Sequence, residues 1–224
     1  DMRVRWALEE IGLPYRVRLF GGAGGEKSAE HIADQPFGQV PVLREGDLTL
    51  FESGAILIHL GHKDERLLPR DPDARMRAIG WVFAALNSVE PFLQALLLLG
   101  FAGEGEDWQA SAKDKARPYA EKRLQQLSDV LENRDWLEDC FTIGDLAMAD
   151  VLRAAPEDQL VAAHPNLATY VARATARPAF KGHDRPQPPC PARRDHHSPR
   201  HPERPPSGGG AGGGPDSRRR HRDA

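Results

Sequence analysis

Apolar residues recur with two different periods in this chain, and the change from one to the other divides it. The first part mixes helical spacing with the alternation of β-strands, whereas the second part, from Ala74 onward, shows helical spacing alone. The predicted elements are, in order, helix 1–12, strand 15–20, helix 28–35, strands 40–44 and 48–51, helix 53–63, and helices 74–99 and 108–133. This order predicts an α+β domain followed by an all-α domain.

Composition places the boundaries of these parts. Residues 66–73 contain Pro69 and Pro72 and indicate a linker between a domain over 1–65 and a helical domain over 74–181. Residues 182–224 are rich in Pro, Gly and Arg and contain too few apolar residues to form a core. This tail is interpreted as disordered, as a basic arm for anionic partners, or as the product of a shifted reading frame.

Charge and residue content argue against several kinds of protein. The net charge is −3, and 40% of residues are hydrophobic, which is ordinary for a globular protein and suggests no nucleic-acid partner. Cys140 and Cys190 form no C-x-x-C pair, so neither a disulfide framework nor a metal site is expected and a cytoplasmic setting is favoured. The run Ala95–Leu99 is short of the roughly 20 residues that a membrane span needs, so no membrane partner is expected.

The first candidate site is the segment Gln39-Val40-Pro41, where a proline opens a predicted strand. If the Val40–Pro41 peptide bond is cis, the N–H and C=O groups of Val40 face outward and can pair with an extended peptide ligand. If the bond is trans, the segment is an ordinary strand start at a sheet edge. The sequence leaves both possibilities open.

The second candidate site is the dipeptide Glu52-Ser53, which lies between a strand and a helix. We expect Ser53 to be the helix N-cap, next to the free N–H groups that suit a carboxylate ligand. Glu52 would supply an anion for an ammonium group, so the pair fits the two charges of an amino acid. The alternative is a capping serine beside a surface glutamate.

Four segments together resemble the glutathione transferase family, and particularly its bacterial members. They are R-V-R-W-A-L-E-E-I-G-L-P-Y at 3–15, Q-V-P-V-L at 39–43, F-E-S-G-A-I at 51–56 and F-T-I-G-D-L-A-M-A-D at 141–150. The last is similar to the capping box of that family, with Thr142 as N-cap and Asp145 at N3, and its role there is in folding. The resemblance covers about Met2 to Phe180.

The resemblance implies a thioredoxin-like N-terminal domain, with its first strand missing ahead of residue 1, followed by an all-helical bundle. It further implies that Val40 pairs with the cysteinyl residue of glutathione, that Glu52 and Ser53 hold the γ-glutamyl group, and that Gln39 and Pro41 border this site. Phe83 and Asn87 are the expected wall for an electrophilic, apolar co-substrate.

In that family a Tyr, Ser or Cys near the first helix activates the thiol of glutathione, and by pattern it would fall just upstream of Asp1. Residues 1–13 contain none of these three, and Tyr15 does not match the motif, so the catalytic residue is unknown. The resemblance implies a transferase that uses glutathione as co-substrate, with no other cofactor and no metal, and a homodimer. The alternatives are a non-catalytic binding or dimerisation module and an inactive truncated product.

Overall fold

The computed structural model describes residues 2–19 and 28–182, so all of the predicted tail except Gly182 lies outside the described residues. The described helices are α1 Met2–Ile11, α2 Ala29–Asp34, α3 Ser53–Gly61, α4 Pro72–Phe83, α5 Glu90–Ala102, α6 Trp108–Leu131, α7 Ile143–Arg153, α8 Asp158–Ala162, α9 Pro165–Thr175 and α10 Pro178–Gly182. The described strands are β1 Val42–Glu45 and β2 Leu48–Phe51. Strands therefore occur only in the first part of the chain and helices dominate the second, as the apolar periodicity predicts.

The two strands form an antiparallel hairpin that fixes the start of α3. Val42 pairs with Phe51 at the open end and Glu45 with Leu48 beside the turn. The turn holds two residues rather than the three predicted, since Glu45 belongs to β1. Gly46 adopts a φ of +58°, which residues with a Cβ rarely adopt.

The predicted strand over 15–20 is wrong for its described residues. Residues 13–19 form no ladder, although their burial alternates, with Leu13, Tyr15 and Val17 half-buried and the residues between them exposed. Side-chain alternation depends on the chain itself, whereas a ladder needs a neighbouring strand edge. Within the described part, β1 pairs with β2 alone, so this segment has the side-chain pattern of a strand without its pairing.

The predicted helix over 74–99 is interrupted by a π-helical segment, Ala84–Val89. The N–H of Glu90 donates to the carbonyl of Ala85, five residues back. Pro91 follows and has no N–H, and its ring would clash with the carbonyl four residues earlier, so the regular α-helical ladder cannot pass through it. The extra residue in this turn rotates α5 relative to α4, which decides which side chains reach the candidate site.

The continuous path Pro72–Ala102 corrects the expectation that no segment is long enough to cross a membrane. It spans 31 residues and contains an 18-residue window whose mean hydropathy is 1.6. Length and composition are the only basis for this signal, and the core helix of a soluble protein gives it too. In this fold 28% of that window is buried. Ala78 and Val82 of α4 and Leu93 and Leu96 of α5 belong to the hydrophobic core.

Helix α7 lies at the centre of the fold. All residues from Ile143 to Leu152 are buried, and α7 packs against α1, α3, α4 and α9. The predicted capping box is present at its start, because Thr142 and Asp145 bond each other's backbone reciprocally. A helix buried on every side has no solvent at its first turn, so side chains must satisfy its free N–H groups.

Gly144 allows α7 to approach α4 closely, and we expect Gly144→Ala to lower the free energy of unfolding by about 1–3 kcal/mol. A Cβ at Gly144 would lie 2.6 Å from Trp81 Cβ and 3.0 Å from the carbonyl oxygen of Ala78. Gly80→Ala is the matched control, since a Cβ there meets nothing within 4 Å. In urea titrations the control should gain up to about 1 kcal/mol from helix propensity. Equal effects of the two substitutions would contradict the close approach.

Candidate functional site

A pocket of about 480 Å³ gathers both candidate sites predicted from the sequence. It lies between the loop that enters β1, the start of α3, and one face each of α1, α5 and α7. Its lining residues are Arg3, Gln35, Gln39, Val40, Pro41, Glu52, Ser53, Glu90, Gln94 and Asp150. Its volume lies within the usual range for small-molecule sites, about 300–1,000 Å³.

Two buried side chains hold the loop that presents Val40. His31 and Gln35 are 1% and 2% exposed. The ring Nε2 of His31 lies 2.8 Å from the carbonyl oxygen of Gln39, to which it donates, and the N–H of Phe37 donates to Gln35 Oε1 at 2.6 Å. The Val40–Pro41 peptide bond is cis, and the Val40 side chain is half exposed. The loop is therefore fixed by the short helix α2 and its C-cap.

The turn from β2 into α3 places Glu52 in an unusual conformation. Glu52 has a φ of 69° and a ψ of 116° and is itself the N-cap of α3, without a side-chain capping bond. Ser53 is the first helical residue, so the prediction that it is the N-cap is wrong by one position. Positive φ in a residue with a Cβ costs of order 1–3 kcal/mol and is concentrated at functional sites. Here it lies directly at the pocket.

The hydroxyl of Ser53 and the first turn of α3 make this end of the pocket suitable for an anion. Ser53 is half-buried, and its Oγ accepts from Arg3 Nη1 at 3.4 Å. The N–H groups of a first helical turn have no partner within the helix and form its positive end. Gly54 allows this turn to pack closely against Leu86, because a Cβ at position 54 would lie only 2.8 Å from Leu86 Cδ1.

Arg3 lies at the centre of a charged network in the wall of the pocket. Its Nη2 lies 2.6 Å from Glu90 Oε1 and its Nε lies 2.8 Å from Asp150 Oδ2. Arg153 pairs with the other oxygen of Asp150 at 2.6 Å. Burial works to lower the pKa of Arg3, but hydrogen bonding to Glu90 and the charge of Asp150 raise it overall, so the guanidinium stays charged.

The sequence does not predict this network. Asp150 ends the segment 141–150, and its buried carboxylate is paired with Arg3 and Arg153. Arg3 and Glu90 carried no local signal, because they are joined by an ion pair across 87 positions of sequence.

Phe83 and Asn87 do not line this pocket; the residues of the long helical path that do are Glu90 and Gln94. In an unbroken α-helix, residues 83, 87 and 94 would share one face. The π-helical segment lies before Gln94 and has one extra residue in its turn, so the faces of the helix before and after it differ by about 100°. The side chains of Phe83 and Asn87 are therefore exposed away from the pocket.

The described lining of the pocket contains no tyrosine and no cysteine. Tyr15 lies in a different groove, where its hydroxyl donates to Glu9 Oε1 at 3.0 Å. Burial and the neighbouring Glu9 raise the pKa of Tyr15, although Arg5 opposes this. Across residues 2–19 and 28–182, no group of three His, Cys, Asp or Glu side chains is placed to hold a metal ion.

Comparison with known proteins places two family matches along this chain. Residues 1–62 match the glutathione S-transferase N-terminal domain, and residues 90–178 match the corresponding C-terminal domain. Glutathione S-transferase 1 of Zea mays is 30% identical over 196 residues, which is 80% of this chain and 88% of the relative. The disulfide-bond oxidoreductase YfcG of Escherichia coli is 27% identical, over 77% of this chain and 84% of its own.

Solved structures agree with these matches. A glutathione transferase family member from Pseudomonas fluorescens pf-5, crystallised with two glutathione bound, superposes with a TM-score of 0.73 and 28% sequence identity. That alignment covers 81% of this chain and 86% of the other. The fold and the sequence therefore lead to the same family.

Proposed function

This chain belongs to the glutathione S-transferase family, and on that premise we propose that it binds glutathione in the pocket at Val40 and Ser53 and joins the glutathione thiol to an electrophile. The observation that carries the proposal is the convergence of Gln39, Val40, Glu52 and Ser53 on one pocket from two separate turns. Relatives whose structures hold glutathione support the ligand.

Each part of the pocket suits one part of the tripeptide. Val40 is half exposed beside the cis bond, and in this proposal its backbone N–H and C=O pair with the cysteinyl residue in the manner of an added strand. The α-carboxylate of the γ-glutamyl group fits the start of α3, where the Ser53 hydroxyl and the first N–H groups lie. The ammonium group beside that carboxylate fits Glu52, which is exposed at the pocket. Gln39 adds an amide at the rim.

The chemistry of this family forms a bond between sulfur and carbon. The sulfur of glutathione attacks an electrophilic carbon, the leaving group departs with its electron pair, and the thiol proton is lost to solvent. Only the thiolate is nucleophilic, and a free thiol has a pKa near 8.5, so at neutral pH most of it is protonated. In the part that the structure describes, this chain's contribution is to bind and orient the tripeptide.

Gln94, together with Glu90, gives the wall opposite glutathione a polar character on α5. The electrophile in this proposal therefore meets a polar wall, with the exposed Leu98 one turn further along the same helix. A homodimer is also part of the proposal. It is supported by exposed apolar side chains at Met76 and Phe83, which are seven residues apart and so share one face of α4.

We expect millimolar glutathione to raise the thermal unfolding midpoint of the chain in a saturable way. A ligand at 100 times its Kd adds about 2.7 kcal/mol to the free energy of unfolding. Ser53→Ala and Glu52→Gln should each weaken binding about tenfold, because each removes a hydrogen bond or charge that meets a charged group of the ligand. Calorimetric titration measures both effects.

Matched controls are Ser111→Ala and Glu106→Gln, two exposed positions away from the pocket, which should leave binding unchanged. A folded chain whose midpoint does not respond to glutathione would contradict the site. Turnover of an aryl chloride, followed by chloride release, separates the transferase from the alternative, since a binding module would take up glutathione without product formation.

A further inference from the structure

Helix α5 carries a stripe of solvent-facing side chains that begins in the glutathione pocket. Glu90 and Gln94 line the pocket. Leu98 and Phe101 follow Gln94 by four and seven residues, and side chains at this spacing share one face of a helix. Leu96, on the other face, is fully buried. The stripe is therefore polar where it lines the pocket and apolar beyond it.

The polar end of the stripe has hydrogen-bonding capacity to spare. Glu90 Oε1 accepts from Arg3 at 2.6 Å, but Glu90 Oε2 has only a long contact of 3.4 Å with the same guanidinium. Among the described residues, the side-chain amide of Gln94 has no hydrogen-bond partner. An amide both donates and accepts, and an ionised carboxylate only accepts. An occupant that excludes water from these groups has to replace the hydrogen bonds of that water.

The charges at this end favour a neutral hydrogen-bonding group. The guanidinium of Arg3 is paired with Glu90 and Asp150, and Asp150 is also paired with Arg153. Two positive and two negative charges therefore balance, so neither an anion nor a cation finds an uncompensated partner there. The apolar end differs, because Leu98 and Phe101 are 57% and 71% exposed. Phe101 lies about 10 Å along the helix axis from Gln94.

We propose that the electrophile is an amphipathic chain, with a neutral hydrogen-bonding group beside the carbon that sulfur attacks and an alkyl tail beyond it. Glu90 and Gln94 bind the polar group, and Leu98 and Phe101 cover the tail. A wholly apolar electrophile would leave the polar groups of the wall without partners, and a short polar one would bury no apolar surface against the stripe. This inference rests on the proposed function, and the bond-forming step is the same.

The test is calorimetric titration with glutathione and three of its S-substituted derivatives, which resemble reaction products and require no turnover. The derivatives carry a 2-hydroxyoctyl, an octyl or a 2-hydroxybutyl group on sulfur. The 2-hydroxyoctyl derivative should bind about fivefold more tightly than the octyl derivative, because its hydroxyl bonds the polar end of the stripe. It should bind about tenfold more tightly than the 2-hydroxybutyl derivative, because its longer tail is partly buried.

Variants assign these two preferences to the two ends of the stripe. Gln94→Leu should abolish the preference for the hydroxyl and keep that for the longer tail, and Phe101→Ser should do the reverse. Val130→Ser, at an exposed apolar position of α6 outside the pocket lining, is the control and should keep both. Each preference is a ratio of two affinities in one variant, so a general change in glutathione affinity cancels.

Three results would overturn the inference. The first is binding of glutathione by the unaltered chain without both preferences, which leaves the proposed function standing. The second is retention of the hydroxyl preference in Gln94→Leu or of the tail preference in Phe101→Ser, which also leaves it standing. The third is absence of binding by glutathione itself, which overturns the proposed function together with this inference.

Discussion

Asp145→Ala is expected to lower the free energy of unfolding by about 4 kcal/mol, a large part of the 5–15 kcal/mol typical of a folded domain. The carboxylate is fully buried. It accepts from the backbone N–H groups of Leu137 and Thr142 at 2.8 and 2.9 Å and from the hydroxyls of Thr142 and Tyr170 at 3.2 and 3.0 Å. Alanine would leave the N–H groups of Leu137 and Thr142 and the hydroxyl of Thr142 buried without this acceptor, at about 1–3 kcal/mol for each one that water does not reach. The Tyr170 hydroxyl keeps the backbone carbonyl oxygen of residue 145 at 3.2 Å.

Urea denaturation followed by circular dichroism measures this loss. Asp139→Ala is the matched control, since it removes an exposed carboxylate six positions earlier and should change stability by less than about 0.5 kcal/mol. Tyr170→Phe removes only one of the four donors and should cost about 1 kcal/mol. A loss in Asp145→Ala no larger than that of the control would show that this carboxylate does not organise the start of α7.

The electrostatics around Asp145 explain why Tyr170 stays a hydrogen-bond donor to it. Burial raises the pKa of Asp145, and the hydrogen bonds from Leu137 and Thr142 oppose that rise. Burial, together with the charge of Asp145, raises the pKa of Tyr170 well above its ordinary value. Tyr170 therefore remains a hydroxyl donor at neutral pH.

How much of this was predictable depended on the distance along the chain between interacting residues. The capping box was predictable because Thr142 and Asp145 are three positions apart. The donors from Leu137 and Tyr170 lie 8 and 25 positions from Asp145 and were not predicted, because no local repeat relates them. The same limit applies to the segment 15–19, whose alternation is local but whose pairing would depend on another strand.

In the candidate site, too, the features set by neighbouring residues were predictable and those set by distant residues were not. The turns at Val40 and Glu52 carry local signals, a proline at a strand start and a serine at a helix start, and both were found from the sequence. The exact position of the cap was not, because the positive φ of Glu52 has no signal in the residue type. The pocket-facing side of α5 was also missed, since it depends on the π-helical turn before Pro91.

Replacing Arg3 with methionine tests the network that joins α1 to this pocket. Removing one partner of a buried ion pair costs about 3–5 kcal/mol, because the other charge is left uncompensated. Here the expected loss is about 3 kcal/mol, at the lower end of that range, since Glu90 is 29% exposed and Asp150 keeps Arg153 as a partner. Arg70→Met is the control. It breaks a pair with Glu65 in which the side chains are 83% and 58% exposed, and it should change stability by less than about 0.5 kcal/mol.

Arg3→Met should also weaken glutathione binding about tenfold, because Ser53 loses its hydrogen bond from Arg3 and the carboxylate site loses a nearby positive charge. A double-mutant cycle with Glu90→Gln separates the ion pair from general damage to the fold. If Arg3 and Glu90 act as a pair, the double variant loses less stability than the sum of the single variants, by about 2 kcal/mol. Additive losses of stability would mean that Arg3 and Glu90 stabilise α1 and α5 independently. An unchanged glutathione affinity in Arg3→Met would mean that the network has a structural role only.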